Sequence, residues 1–316
     1  MTTLVTGGSG FIGSAIVRRL VDAGSQVIVF DDMSRGNSRN LEGYLDKVDI
    51  VSGDVRDKGA LQEAFKSVET VMHLAYVNGT SNFYEKPDQV IEVGLKGLLN
   101  IVDLSIGHGV EKLFLASSSE VYQHPHIIPT PEKIPLIVPD AQNSRFTYGG
   151  GKIIYELYGQ HFAKKYIDRV IIFRPHNVYG PRMGMEHVIP QLIKKIHTAK
   201  MNGSSVELLG DGNQTRSFNY IDDFVDAIEL LNAKDFSGVV NIGSSDEIKI
   251  YELYKKIARL MQYESEPEFL PSPAGETLRR CPDITLVRGL GYEPRVTLDI
   301  GLEKTVDAYL RTFEED

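Results

Sequence analysis

Cysteine is nearly absent from this chain: Cys281 is the only one in 316 residues. That excludes an internal disulfide framework and a metal cluster built on several thiolates. Positive charge is in deficit, with 34 basic against 43 acidic residues and a formal net charge of −9. A general nucleic-acid grip needs a basic face and is excluded, whereas a local basic pocket for a phosphate is not. No apolar run approaches the length of a membrane span, and the first residues already read as a strand, so neither a membrane segment nor a signal peptide is expected. No metal site is expected either. Together these absences point to a cytoplasmic protein. The 42% hydrophobic and 24% charged fractions are those of a soluble globular chain, long enough for one large core or a core plus a lobe.

Glycine, by contrast, is concentrated where the chain begins. Residues 4–13 read Leu-Val-Thr-Gly-Gly-Ser-Gly-Phe-Ile-Gly, with glycines at 7, 10 and 13 between an apolar strand and a helix. A dinucleotide pyrophosphate needs this arrangement: backbone N–H groups at close range, no Cβ in the way, and a helix N-terminus aimed at the anion. The helix that follows shows Ile16, Val17, Leu20 and Val21 at helical spacing and ends at Gly24.

Strand-like and helix-like segments then alternate. Strands are expected at 26–30, 48–52, 70–75, 112–117 and 169–174, and helices at 60–67, 89–107 and 152–166. Repeated βα units with Val/Ile-rich strands predict a doubly wound parallel sheet, an α/β Rossmann architecture whose ligands sit at the carboxyl ends of the strands. After Asn177 the character changes: Pro181, Pro190, Gly180 and Gly184 break long elements, and a strand near 239–243 and helices near 251–262 and 301–313 follow. The division expected is a Rossmann domain over 1–175, rejoined by about 215–240, and a smaller C-terminal α/β lobe over 176–214 and 241–316.

Asp31 closes the second strand, where a carboxylate accepts bonds from adenosine ribose hydroxyls and repels a 2′-phosphate. NAD is therefore favoured over NADP, although Asp32 and Arg35 stand beside it and an arginine there can accept the phosphate. Asp54, after the third strand, is placed either to reach the adenine edge or to shape a turn. Tyr148 and Lys152 stand four apart at a helix start, so both project from one face. The lysine charge lowers the phenol's pKa, letting Tyr148 take a proton from an alcohol. A serine at the strand end 117–119 can bond the reacting oxygen.

With these elements assembled, the chain resembles an extended short-chain dehydrogenase/reductase of the nucleotide-sugar epimerase/dehydratase group, including UDP-glucose 4-epimerase-like and UDP-glucuronate decarboxylase-like members. The resemblance runs through TGGSGFIGS, HLA at 73–75, SSSEVY at 117–122, YGGGK at 148–152, RPHNVYGPR at 174–182, GDGNQTRSFNYIDD at 210–223, NIG at 241–243 and RRCPDI at 279–284. It implies Ser118, Tyr148 and Lys152 as catalytic residues, with Glu120 a candidate base. It implies NAD held by Gly7, Gly10, Phe11, Ile12, Gly13, Asp31, Asp32, Asp54, Val55, Leu74, Ala75, Tyr148 and Lys152. The substrate diphosphate falls to Asn177, Arg182, Arg216 and Arg280, suited as guanidinium forks and a neutral donor. His176 and the 183–187 loop are expected to border the sugar.

The implied activity is C4 epimerisation of a nucleotide hexose through a 4-keto intermediate. Alternatives are 4,6-dehydration or uronate decarboxylation using Glu120, and, more remotely, a non-catalytic dinucleotide sensor. A homodimer is expected through the apolar face of Ile153, Ile154, Leu157, Tyr158 and Phe162, which would otherwise be core. The chain departs from the group's pattern at Tyr76, Gly94, Gln123 and the glycines 149–151. A glycine costs a helix interior up to about 1 kcal/mol relative to alanine. The first turn after Tyr148 is thus expected to be irregular, or to approach a ligand closely.

Overall fold

In a computed structural model, which describes residues 1–271 and 277–315, strands form where Val- and Ile-rich runs stand between turn residues. They are β1 (Thr2–Thr6), β2 (Gln26–Asp31), β3 (Asp49–Ser52), β4 (Thr70–His73), β5 (Lys112–Ala116), β6 (Arg169–Pro175) and β7 (Gly238–Ile242). They build one seven-stranded sheet in the order β7-β6-β5-β4-β1-β2-β3, parallel throughout. The helices are α1 (Phe11–Asp22), α2 (Lys58–Ala64), α3 (Thr80–Glu85), α4 (Pro87–Gly107), α5 (Thr147–His161), α6 (Val188–Asn202), α7 (Ile221–Ala233), α8 (Ile250–Leu260), α9 (Thr285–Gly289) and α10 (Leu298–Glu315). The strand read near 239–243 as part of the lobe is β7, which pairs Val240 with Phe173 of β6. Its Val240 and Ile242 are fully buried, as an added strand of a sheet covered on both faces requires.

Successive strand residues face opposite ways, and the core divides accordingly. Val5, Phe114, Ile171 and Phe173 pack with Ile16 and Val17 of α1 and Phe224 and Ile228 of α7. Leu4, Leu113, Leu115, Val170 and Ile172 pack on the other face with Leu98 and Ile101 of α4 and Tyr155 of α5. Outside the sheet, short strand pairs and α6, α8 and α10 form the second region. There Thr215–Ser217 pairs with Glu247–Lys249 and Arg279–Arg280. Among the described residues no helix is long and apolar enough to cross a membrane.

The turn between β1 and α1 shows why its glycines are needed. Gly7 has φ +69°, and a Cβ on Gly13 would lie 2.0 Å from the Gly7 carbonyl oxygen, closer than any side chain tolerates. The N-cap of α1 is Gly10, with no side-chain cap. The helix's first N–H groups are thus left to an anion.

A buried ion pair ties the sheet to the helix beside it. Arg174 of β6 donates from Nε to Glu156 Oε1 at 2.7 Å and from Nη2 to Oε2 at 2.5 Å, with both side chains 3% exposed or less. Ser117 Oγ donates to the same carboxylate at 2.5 Å, and Arg174 Nη1 to Tyr122 Oη at 2.5 Å and the Glu132 carbonyl at 3.0 Å. Removing one partner strands the other's charge in a dry interior. Arg174→Met is expected to cost about 3–5 kcal/mol in urea unfolding, with much of the loss recovered in the Arg174→Met/Glu156→Leu double variant.

Candidate active site

The carboxyl ends of the strands open on a cavity of about 470 Å³ lined by Gly7, Gly10, Phe11, Ile12, Gly13, Asp31, Asp32, Val55, Leu74 and Ala75 at one end. Ser118, Glu120, Tyr148, Lys152, Asn177, Arg182 and Arg280 line it as well. Most of the residues singled out in the sequence therefore meet around one space. The cradle suits a dinucleotide: glycine backbone, an uncapped helix N-terminus, and a carboxylate at the end of β2. Asp31 Oδ2 accepts the Ser9 N–H and Oδ1 the Met33 N–H, each at 2.9 Å, and burial pushes its pKa up against those bonds. Arg35 also lines the cavity, where it donates to the Asn78 carbonyl and pairs with Glu186 at 3.7 Å. Asp31 and Asp32 line the cavity beside it.

Asp54 departs from the adenine-edge expectation and takes the turn alternative. It does not line the cavity; its Oδ1 accepts the Arg56 N–H at 2.8 Å, and its carboxylate pairs with Arg56 at 2.5 Å. That guanidinium also holds Asp54 below the usual carboxylate range. His176 also departs from its expected place by the sugar. Its ring is buried, 3.2 Å from Asn241 Oδ1, and burial lowers its pKa to about 3, so it stays neutral inside the network. The 183–187 loop does reach the cavity, through Met183, Gly184, Glu186 and His187.

Tyr148 sits in the first turn of α5, its ring stacked on Phe83 at 5.1 Å and edge-on to Tyr76 at 5.1 Å. The nearby Ser118 hydroxyl lowers the phenol's pKa, and its Oγ accepts the Glu120 N–H at 3.1 Å, capping the short turn after β5. One turn on from Tyr148, Lys152 Nζ donates to the Ala116 carbonyl at 2.5 Å. Burial pushes the Tyr148 phenol up and the Lys152 ammonium down. The lowered phenol expected from a nearby lysine charge is therefore not what the pocket gives. Desolvation penalises each charged form and is the largest influence on both groups.

Glu120 is held at both oxygens, by Arg280 at 2.7 Å and by Arg145 at 3.1 Å. Against the cost of burial, the two guanidiniums lower its pKa to about 2. Arg145 was not singled out in the sequence. It stands on the turn just before Tyr148, and only the folded distance to Glu120 reveals it. The substrate-type residues are spread along the wall. Asn177, at φ 40°, donates to the Ser217 carbonyl at 2.8 Å, and Arg182 reaches the Asn40 carbonyl at 3.2 Å. Arg216 lies in register with Arg280 on the adjoining strand but is not among the lining residues.

The departures from the family pattern prove to be mutual. Helix α5 is regular from Thr147, and the protein's own atoms crowd its glycines. A Cβ on Gly94 would lie 2.4 Å from Tyr76 Oη, one on Gly151 would lie 2.2 Å from that atom, and one on Gly149 would lie 2.5 Å from Gln123 Nε2. Two small positions thus make room for one large residue between α4 and α5, and a third makes room for Gln123. Gly151→Ala is expected to destabilise the protein by about 1–3 kcal/mol through overpacking. The loss should vanish in the Tyr76→Phe background, where the nearest ring atom, Cζ, stands 3.6 Å away. A double-mutant cycle by chemical denaturation measures it.

The model of the NAD dependent epimerase/dehydratase family matches residues 3–243. A putative UDP-glucose 4-epimerase of Methanocaldococcus jannaschii is 33% identical over 96% of this chain and 97% of its own length. UDP-glucuronic acid decarboxylase 1 of Danio rerio is 31% identical over 98% of this chain and 73% of its own. The crystal structure of UDP-glucose 4-epimerase from Thermotoga maritima with UDP-glucose superposes with a TM-score of 0.89 at 31% identity, covering 99% of this chain and 100% of that one. The chain accordingly belongs to the NAD dependent epimerase/dehydratase family, a family of enzymes that modify nucleotide sugars.

Proposed function

We propose that this protein epimerises a nucleotide hexose at C4 through a 4-keto intermediate, with Tyr148, Ser118 and Lys152 as its catalytic residues. NAD, when bound, supplies the acceptor and donor of the C4 hydride. The glycine turn with Phe11 and Ile12 would hold its pyrophosphate, Asp31 and Asp32 its adenosine ribose, and Val55, Leu74 and Ala75 the walls. Tyr148 takes the C4 hydroxyl proton and returns it, and the Ser118 hydroxyl steadies the sugar oxygen as its charge changes. Burial disfavours a phenolate on Tyr148, so the Lys152 ammonium one helical turn away is assigned the role of stabilising that charge as the proton leaves. The diphosphate is assigned to Asn177, Arg182 and Arg280, with Arg216 beside Arg280 in register; an acidic chain must supply such donors locally.

The observation that carries epimerisation is the state of Glu120. Dehydration asks a base to remove the C5 proton, and Glu120 has both oxygens on guanidiniums and a pKa lowered to about 2. A carboxylate so stabilised is a weak base. Inverting C4 asks nothing of it. Decarboxylation is a second reading: Arg145 and Arg280 meet at the cavity side, and a substrate carboxylate could exchange with Glu120 between them.

A homodimer is proposed along α4 and α5. Ile154 and Leu157 are 45% and 53% exposed, beside Ile91 and Leu99 at 40% and 45%, whereas Tyr158 and Phe162 pack against the core. The cytoplasm is the proposed location, since the lone thiol of Cys281 is buried and free and asks for no oxidising compartment.

A panel of UDP-, dTDP-, GDP- and CDP-sugars in deuterated water, read by NMR and mass spectrometry, tests the reaction. Unlabelled C4 inversion is expected. Deuterium at C5 with loss of water overturns the proposal, and carbon dioxide from a uronate selects the second reading. Tyr148→Phe is expected to lower kcat by about 10²–10⁴, and Glu120→Gln to retain C4 inversion; a loss of a hundredfold or more, roughly what a missing general base costs, would put Glu120 back into the chemistry.

A further inference from the structure

We propose that Tyr76 and Tyr155 form an aromatic clasp that holds Lys152 as an ammonium ion in a pocket too dry to hold it otherwise, so that Tyr76 is a positioning residue for the Tyr148–Lys152 pair. Lys152 Nζ lies 3.9 Å from the centroid of the Tyr76 ring and 4.3 Å from that of Tyr155, well inside the reach of a cation–π contact. Tyr148 is farther, at 5.7 Å. Lys152 is 2% exposed. It lies next to the Ala116 carbonyl, Glu156 one turn on, and His73 beneath Tyr155.

The Ala116 carbonyl accepts from Nζ and the Glu156 charge favours the ammonium; the rings add to these, because the remaining neighbours are committed elsewhere. Glu156 has its carboxylate engaged by Arg174 and Ser117. His73 is bonded on both sides, to Thr6 Oγ1 and Tyr155 Oη, each at 2.7 Å, and burial and the Lys152 charge lower its pKa to about 3. It therefore adds no competing charge, and it pins the Tyr155 ring in place. Burial pushes both clasp phenols up, so both rings stay neutral.

The placement of Tyr76 is built rather than incidental. Its Oη is buried without a partner among the described residues. The phenol is seated in the gap that Gly94 and Gly151 leave between α4 and α5. A residue placed there for its hydroxyl would have found a partner for it. The ring face on Lys152 is what the seat secures.

That the clasp serves turnover rests on the reading of Lys152 as Tyr148's partner, but the clasp itself is measurable without turnover. Full-length protein carrying lysine isotope-labelled at Cε is titrated by NMR, with Lys152 assigned from the resonance lost in Lys152→Arg. Tyr76→Phe is expected to leave its midpoint near that of wild type. Tyr76→pentafluorophenylalanine, which keeps the shape and cancels the ring's negative face, and Tyr76→Leu are expected to lower it by about one pH unit, the scale of one desolvated cation–π contact. An unchanged midpoint in the fluorinated variant, or an equal fall in Tyr76→Phe, overturns the clasp. A failed epimerase assay leaves this result standing.

Discussion

The Glu156–Arg174 pair is the constraint on which the site is built. Helix α5 carries Tyr148, Lys152 and Glu156 at intervals of four residues, so fixing Glu156 fixes the face that holds the other two. Arg174 grips that carboxylate from β6 and passes the contact on through Tyr122 to Asn241. Asn241 in turn donates to the carbonyls of Thr130 and Asp283. A salt bridge this deep is seldom the most stable way to fill a core. Here it sets the rotation of one helix against the sheet and against the loops of the second region.

The three serines after β5 divide the labour of that junction. Ser117 bonds Glu156, Ser118 meets the Tyr148 phenol and caps the following turn, and Ser119 is buried. A strand end that alternates direction at each residue delivers neighbouring side chains to different partners. The structural network and the proposed proton-transfer tyrosine are thus reached from one tripeptide.

Much of this was legible in the chain itself. Period and composition predicted the parallel strands, the glycine turn and the Tyr148/Lys152 face, because these depend on neighbours close in sequence. What was not legible depends on pairings across the fold. Glu120 reads in the sequence as a candidate base or a structural carboxylate, and no local pattern announces Arg145 and Arg280 on its two oxygens. His176 reads as a residue bordering the sugar, and its packing beside Asn241 depends on a partner far along the chain. The strand at the lobe boundary joined the main sheet because β6 offered an open edge, which no local pattern announces. The odd residues at 76, 94 and 151 read as separate departures, and only their contact distances make them one adjustment.

The glycines of α5 carry a consequence for motion. Residues 149–151 give that turn the weakest intrinsic helicity of any side chains short of proline, so its order is borrowed from Tyr76, Gln123 and the Glu156 anchor downstream. Segments of this kind open as cooperative local units while the rest of a domain stays folded. Were the turn to unwind, Tyr148 would leave Ser118 and Lys152 would lose its surroundings in the same event. The proposed proton-transfer pair and the helix start therefore form or melt together, and amide-exchange protection at residues 148–152 becomes a direct gauge of how often both are in place.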